Sequence, residues 1–300
     1  MILNVIVPAY NEKQNVPYFY GRAKAALDSL GSEIEWNMVF VNNSSWDGTM
    51  EQVLALRASD PRVKLVTLSR NFGYHAALLA GLTAVDGDYY AIVDVDCEDP
   101  PELIVDFYKT IKTGTQVVYG VRSNRDEPQL VTFARRLFYI ANRKVADSEI
   151  VMWMGEFSMI TRQVRDAILV PKSTFVSLRA ELGHVGFPRV GLPYQRAKRQ
   201  FGETHYNFWR MTVYAVASIL SATTFPLRLV LYLGALVAVA FPLAVVLLHL
   251  SAAATGVLAA IVSLYFLIVS LPLLSLYMAR TYKNVAQRAT FIIDWSRTYL

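Results

Sequence analysis

The residues of this chain best placed to do chemistry lie in Val93-Asp-Val-Asp-Cys-Glu-Asp-Pro-Pro-Glu102, where Asp94, Asp96 and Glu98 alternate directly after the apolar run Ala91-Ile-Val93. Such a run reads as the end of a buried strand, and open α/β sheets bind their ligands just beyond the carboxyl ends of their strands. Alternate carboxylates gathered there need a cation. A hard divalent ion such as Mg2+ or Mn2+ is held by one or two carboxylates together with substrate phosphates, so the pattern points to a nucleotide diphosphate site with Asp94, Asp96 and Glu98 as candidate ligands. A plainer reading of the same residues is a solvated acidic turn capping the helix that Pro100 and Pro101 begin. Cys97, the single cysteine, excludes an intrachain disulfide and fits a reducing compartment, and its acidic neighbours disfavour thiolate chemistry.

These side chains require strands that end on a common edge, and the sequence before them supplies such strands. Leu3–Val7 predicts a strand that runs into the loop Pro8-Ala-Tyr-Asn-Glu12 and a helix over Asn15–Leu30. Trp36–Val41 predicts a second strand, followed by the polar turn Asn42-Asn-Ser-Ser-Trp-Asp-Gly-Thr49 and a helix over Met50–Ala58. Val63–Leu68 and Tyr89–Val93 are the third and fourth strands, separated by the loop Ser69-Arg-Asn-Phe-Gly-Tyr74 and a helix ending near Val85. This alternation argues for a mostly parallel α/β sheet with helices on both faces. A helix over Glu102–Lys112, a strand over Gln116–Tyr119 and a basic helix over Leu130–Ala146 are expected next. The stretch Gly155–Ile160, helical pieces around Arg162–Leu169 and Thr174–Leu182, and a strand over Val190–Tyr194 complete the domain.

The 300-residue chain is 54% hydrophobic, and the excess is localised, because no Asp, Glu, Lys or Arg occurs from Leu229 to Ala279. Leu229–Leu250 and Gly256–Met278 each exceed the ~20 residues that cross a bilayer, with Ser251–Thr255 as the break between them. Pro242 and Pro272 are tolerated in such spans. Arg228 on one side and Arg280, Lys283 and Arg288 on the other place both ends of the hairpin on the cytoplasmic face by the positive-inside rule. Asn4 and Pro8 interrupt any apolar leader, so the amino-terminal domain is expected to stay cytoplasmic as well. Phe208–Thr224, with Trp209, Arg210 and Tyr214, reads as a helix lying at the membrane interface. The expected organisation is a catalytic domain over residues 1–206, a juxtamembrane helix over 207–228, a transmembrane hairpin over 229–279 and a cytoplasmic tail over 280–300.

A net charge of +5 is compatible with nucleic acid, an anionic membrane or an anionic substrate. The chain holds none of the aromatic–basic motifs of RNA-binding modules, so no nucleic acid partner is expected. Nor does it contain the Gly-x-Gly-x-x-Gly turn of a dinucleotide-dependent oxidoreductase. One basic cluster gathers Arg122, Arg125, Arg135, Arg136, Arg143 and Lys144, and another gathers Arg189, Arg196, Lys198, Arg199 and Arg210.

Taken in order, these pieces resemble the family-2 glycosyltransferases of fold type A (GT-A), and more narrowly the polyprenyl-phosphate (dolichol-phosphate) sugar synthases. The resemblance rests on Val7-Pro-Ala-Tyr-Asn-Glu12, Val41-Asn-Asn-Ser-Ser-Trp-Asp-Gly-Thr49, Ser69-Arg-Asn-Phe-Gly-Tyr-His-Ala-Ala-Leu78, Asp94-Val-Asp-Cys-Glu-Asp-Pro-Pro-Glu-Leu103 and Val118-Tyr-Gly-Val-Arg122. Arg179-Ala-Glu-Leu-Gly183 and Arg199-Gln-Phe-Gly-Glu-Thr-His-Tyr206 match more loosely. The apolar hairpin resembles that of bacterial members which load glucose-like sugars onto undecaprenyl phosphate at the inner membrane. The resemblance implies a nucleotide-sugar donor such as a UDP-hexose, a polyprenyl-phosphate acceptor, Mg2+ or Mn2+, inversion at the anomeric carbon, and a homo-oligomer such as a tetramer. By the same resemblance Pro8, Tyr10, Glu12 and Asn42 line the nucleotide with Asp94, and Asp96 carries the metal. Arg122, Arg135 and Arg199 hold the acceptor phosphate, and Glu156, in Gly-Glu-Phe, orients the acceptor or acts as a base.

Several positions depart from the family pattern. Asn42 and Asn43 stand where relatives carry Asp-Asp, Glu98 stands for Gln, and His205 stands for Lys. An amide can accept from uracil N3–H but can also donate to cytosine N3, so nucleobase selection is expected to be relaxed or shifted. Two other readings are a processive polysaccharide synthase, whose Gln-x-x-Arg-Trp motif and additional spans are missing here, and an inactive membrane scaffold that recruits a flippase or a second transferase. Retention of Asp94 and Asp96 argues against the scaffold.

Overall fold

A computed structural model of the chain describes residues 1–123, 154–170, 178–201, 224–286 and 288–300. The helix expected over Leu130–Ala146, which would carry Arg135, the interfacial helix expected over Phe208–Thr224, except Thr224 itself, and His205 lie outside them. The described residues fall into two compact units, one holding the sheet together with residues 289–300 and the other holding two long apolar helices.

The sheet unit opens with β1 (Ile2–Ala9), α1 (Asn15–Asp28), β2 (Glu35–Asn42), α2 (Thr49–Ser59), β3 (Val63–Thr67), α3 (Tyr74–Ala84) and β4 (Tyr89–Ile92). Every residue of β1 after Ile2 is buried, as expected of a central parallel strand covered on both faces. One face packs Phe19 and Leu27 of α1 against Phe40 and Leu65. The other packs Leu78 and Leu82 of α3 against Ile6 and Val41. Gly81 allows that approach, since a Cβ there would come within 2.6 Å of Ile6 Cγ2. Pro100 and Pro101 lead into a short 3-10 turn, Pro101–Leu103, before α4 (Ile104–Ile111), so the single helix expected over Glu102–Lys112 is divided at its start.

The remaining elements are β5 (Val117–Arg122), β6 (Met154–Thr161), α5 (Arg162–Leu169), α6 (Leu178–His184) and β7 (Arg189–Tyr194). The sheet order is β3-β2-β1-β4-β6-β5-β7. β6 departs from the parallel pattern, running antiparallel to both β4 and β5 and lying between them. This reversal puts the start of β6 at the edge where the other strands end. β5 runs past the expected Tyr119 to Arg122 and carries an irregularity between Tyr119 and Val121.

In the second unit α7 (Phe225–Leu247) and α8 (Ala252–Val285) each contain an 18-residue stretch of mean hydropathy 2.6, long and apolar enough to cross a membrane. Both differ in bounds from the sequence expectation. α7 begins earlier, with Pro226 in its first turn where the missing N–H is harmless, and α8 begins at the Ser251 cap. α8 also continues past Arg280 and Lys283, since charged side chains do not interrupt the hydrogen-bond ladder of the backbone.

Residues 289–300 return to the edge of β3. Leu65 and Tyr299 exchange backbone hydrogen bonds of 2.8 and 2.7 Å, Asp294 N–H donates to Thr67 O at 2.8 Å, and Ser69 N–H donates to Ile292 O at 3.0 Å. Phe291 and Ile293 pack against the core beneath α3. The strap covers an exposed strand edge and fixes the start of the loop after β3. Truncation after Arg288 is therefore expected to destabilise the sheet unit by about 2–4 kcal/mol, the burial of two apolar side chains. The thermal midpoint followed by tryptophan fluorescence would fall; an unchanged midpoint would show that the strap adds nothing.

Candidate active site

The carboxyl ends of β1 to β5 and β7 and the amino end of β6 share one edge of the sheet. The loops leaving that edge contain Asn11 (φ 57°), Ser44 (φ 61°) and Cys97 (φ 56°), three of the four non-glycine residues with positive φ among the described residues. Strained backbone of this kind persists only where its surroundings over-determine it, and it gathers at binding loops.

The surroundings are specific. Asn11 N–H donates to Ser45 Oγ at 3.0 Å, Glu12 N–H to Thr49 Oγ1 at 2.8 Å and Trp46 N–H to Asn11 Oδ1 at 3.1 Å, so the loops after β1 and β2 clasp one another. Although burial opposes ionisation of Asp47, hydrogen bonds from Thr49 and the Lys13 N–H hold its carboxyl below the usual range. Asn43 joins the loops after β2 and β3, accepting from Phe72 N–H at 2.9 Å and donating to Asn71 Oδ1 at 3.1 Å. Asn42 accepts from Ser45 N–H at 2.9 Å through Oδ1, which orients its amide while leaving that oxygen a second lone pair. Pro8 is buried near the end of β1, whereas Tyr10, just beyond that strand, is exposed.

At the end of β4 negative charge is crowded. Burial pushes the Asp94 carboxyl up to about 7; the Tyr74 hydroxyl, donating at 2.6 Å, opposes the shift, and the neighbouring charges of Asp96, Asp99 and Glu156 add to it. Glu98 is raised by burial and by Asp96, and it is ion-paired with Arg196. Glu156 carries a buried Oε2 with no hydrogen-bond partner among the described residues. Burial lowers His75, next to Tyr74, below the usual histidine range, and the Cys97 thiol is pushed by burial up to about 11, which keeps it neutral.

This donor set fits a divalent cation. Crowded carboxylates and an orphaned carboxylate oxygen lower their energy by sharing one. Among the described residues no three such side chains already converge on one point, so part of the coordination shell falls to substrate oxygens, the usual arrangement for Mg2+. Asp96 and Asp94 are the nearest candidates, and Glu98 would first have to leave Arg196.

Cations reach the same edge from distant parts of the chain. Arg199 lies between Glu12 (Nη2 to Oε1, 2.5 Å) and Asp96 (Nη1 to Oδ2, 3.8 Å), so a residue expected at the nucleotide, one at the metal and one at the acceptor are neighbours. Arg122 reaches Asp99 and Tyr194 instead. Tyr74, Asn71, Asp99, Tyr194 and Arg196 all take part, and the sequence reading gave none of them a role. Asp99 was visible in the acidic stretch, but its partners are separated from it by 23 and 95 positions, with no local pattern to link them.

Residues 4–169 match the family described as glycosyl transferase family 2. The chain is 31% identical to a prophage bactoprenol glucosyl transferase homolog of Escherichia coli strain K12, over 98% of each sequence. It is 30% identical to a bactoprenol glucosyl transferase of Shigella phage SfII, over 99% of this chain and 98% of that one. Among solved structures it is similar to a mannosyltransferase of Pyrobaculum calidifontis in complex with GDP-Man and Mn2+, with a TM-score of 0.53 at 19% identity, covering 96% of this chain and 84% of that one. That likeness supports a GT-A fold.

Tyr74 supplies the hydroxyl that partners Asp94. Tyr74→Phe, which leaves the buried Asp94 carboxyl without this donor, is expected to lower turnover about tenfold, the cost of one hydrogen bond to a charged group, and to lower the thermal midpoint with it. Unaltered turnover would remove Tyr74 from the site.

Proposed function

The chain belongs to glycosyl transferase family 2, and from that premise we propose that it transfers a sugar from a nucleotide diphosphate donor to a polyprenyl phosphate. The observation that carries this reading is the meeting of Asp94, Asp96 and Glu156 with Arg199 at one sheet edge. The printed names of the bactoprenol transferase relatives support the lipid acceptor, and the two apolar helices support a membrane setting.

The donor is a nucleotide sugar, most simply a UDP-hexose, lined by Pro8, Tyr10 and Glu12. Mg2+ or Mn2+, held by Asp96 with Asp94 and with Glu98 once released from Arg196, would stabilise the departing nucleotide diphosphate as a Lewis acid. Arg122, Arg199 and Arg135 hold the acceptor phosphate so that one of its oxygens faces the anomeric carbon, a matter of positioning and charge. That oxygen forms the new bond as the bond to the donor phosphate breaks on the opposite side, which inverts the centre. A phosphate monoester is already mostly ionised at neutral pH, its second pKa being about 6, so no strong base is needed. Glu156 orients the acceptor or takes its remaining proton. The catalytic unit and both chain ends lie on the cytoplasmic side of the hairpin. The amide of Asn42, which can donate as well as accept where a carboxylate only accepts, supports relaxed or shifted nucleobase selection.

Two outcomes are expected when membranes carrying the chain are incubated with undecaprenyl phosphate and matched labelled UDP-, GDP- and CDP-sugars. Label enters the lipid phase as a phosphate-linked sugar, and its absence with every donor would overturn the transfer reading. Donors other than UDP-sugars also support turnover, and strict UDP preference would remove the shift in base selection.

A further inference from the structure

We propose that Asp99 and Tyr194 are the positioning residues that present Arg122 to the acceptor's phosphate, a role that rests on the reading of Arg122 given above. Arg122 ends β5 with its side chain 27% exposed. Its Nε donates to the Tyr194 hydroxyl at 3.1 Å and its Nη2 donates to Asp99 Oδ2 at 3.3 Å. The Tyr194 hydroxyl in turn donates to Asp99 Oδ1 at 2.5 Å, so it accepts from the guanidinium and donates to the carboxylate at once. Asp99 is 2% exposed, and a carboxylate buried that far needs a cation and donors around it. Arg196 Nε, 3.6 Å from Asp99 Oδ1, is the second guanidinium on the same carboxylate.

Every part of this arrangement is held from elsewhere. Ser123 N–H and Oγ–H both donate to Tyr194 O at 2.8 Å, which pins the residue at the end of β7. The Tyr194 ring meets the Phe157 ring edge-on at 5.7 Å. Gly120, in the motif Val118-Tyr-Gly-Val-Arg122, makes room for it, because a Cβ there would lie 2.5 Å from Tyr194 Cε1. The glycine in that motif is explained by the ring it faces.

The consequence for Arg122 is pre-organisation. A free arginine side chain loses considerable rotamer entropy when it grips a ligand. Here Nε and Nη2 are fixed before a ligand arrives, while Nη1 has no protein partner among the described residues and keeps its N–H groups for a phosphate oxygen. A guanidinium fixed in plane favours directed hydrogen bonds to phosphate.

The test uses the full chain in detergent, with a short-chain prenyl monophosphate as acceptor and the donor found active, and reads KM for each substrate separately. Tyr194→Phe, which keeps the ring and its packing, is expected to raise the acceptor KM about tenfold with the donor KM within about twofold. Gly120→Ala, by displacing the ring, shifts the acceptor KM in the same direction, and Asp99→Asn shifts it further. If Asp99→Asn does not accumulate as folded protein, Tyr194→Phe decides. An unchanged acceptor KM in Tyr194→Phe, or an equal rise in both KM values, overturns the proposal while Arg122→Ala still raises the acceptor KM. If Arg122→Ala leaves the acceptor KM unchanged, the phosphate role of Arg122 fails and the positioning role falls with it.

Discussion

The constraint on which this structure depends is the placement of Asp94, Asp96, Asp99 and Glu156 at one edge of a sheet, where burial, with the charges of the other three carboxylates and against the hydrogen bond from Tyr74, pushes Asp94 up to about 7. Carboxylates gathered out of water repel one another and are stable only if positive charge or hydrogen-bond donors are brought to them. The chain brings both. Tyr74 serves Asp94, Tyr194 and Arg122 serve Asp99, Arg196 serves Glu98, and Arg199 lies between Glu12 and Asp96. What these groups leave uncompensated, the unpartnered oxygen of Glu156 and the raised carboxyl of Asp94, is what a cation and a phosphate donor would complete.

The topology follows from that requirement. Parallel strands β1 to β4 place four loops at one edge, but Glu156 reaches it only because β6 runs backwards between β4 and β5. β7, parallel to β5, then places Tyr194 beside Arg122. At the far side the returning carboxyl-terminal strap closes β3 and holds Ser69 at the root of the loop that carries Asn71 and Tyr74. The residues proposed for the donor and for the acceptor are thus fixed by segments far apart in sequence, which suits the proposed transfer between two phosphorylated substrates.

How much of this could be read from the sequence depended on the range of the interaction. The strand–helix alternation, the acidic strand end and the apolar hairpin are local patterns, and they were legible because period and composition are set within a few residues. The reversed β6 was not, since nothing within Met154–Thr161 records the direction of its neighbours. The polar turn Asn42–Thr49 was seen as a helix cap, yet Asn42 spends its carbonyl on Ser45, a detail of turn geometry. Gly120 was visible as part of a motif, while its reason, the ring of Tyr194, lies 74 positions away along the chain. Asp94, Asp96 and Glu98 form an alternating acidic pattern in the sequence, but the ion pair of Glu98 with Arg196, 98 positions on, has no local signal.

The central claim is that the Asp96 carboxylate, through a divalent cation, carries the departing nucleotide diphosphate. Its most direct test is the initial rate of labelled sugar transfer to undecaprenyl phosphate by the native chain and by Asp96→Ala, each titrated with Mn2+ from a chelated starting point. The native rate is expected to depend on Mn2+, and the variant rate to be at least about a hundredfold lower at every Mn2+ concentration. Equal rates in the two proteins, or a native rate indifferent to the chelator, would contradict it.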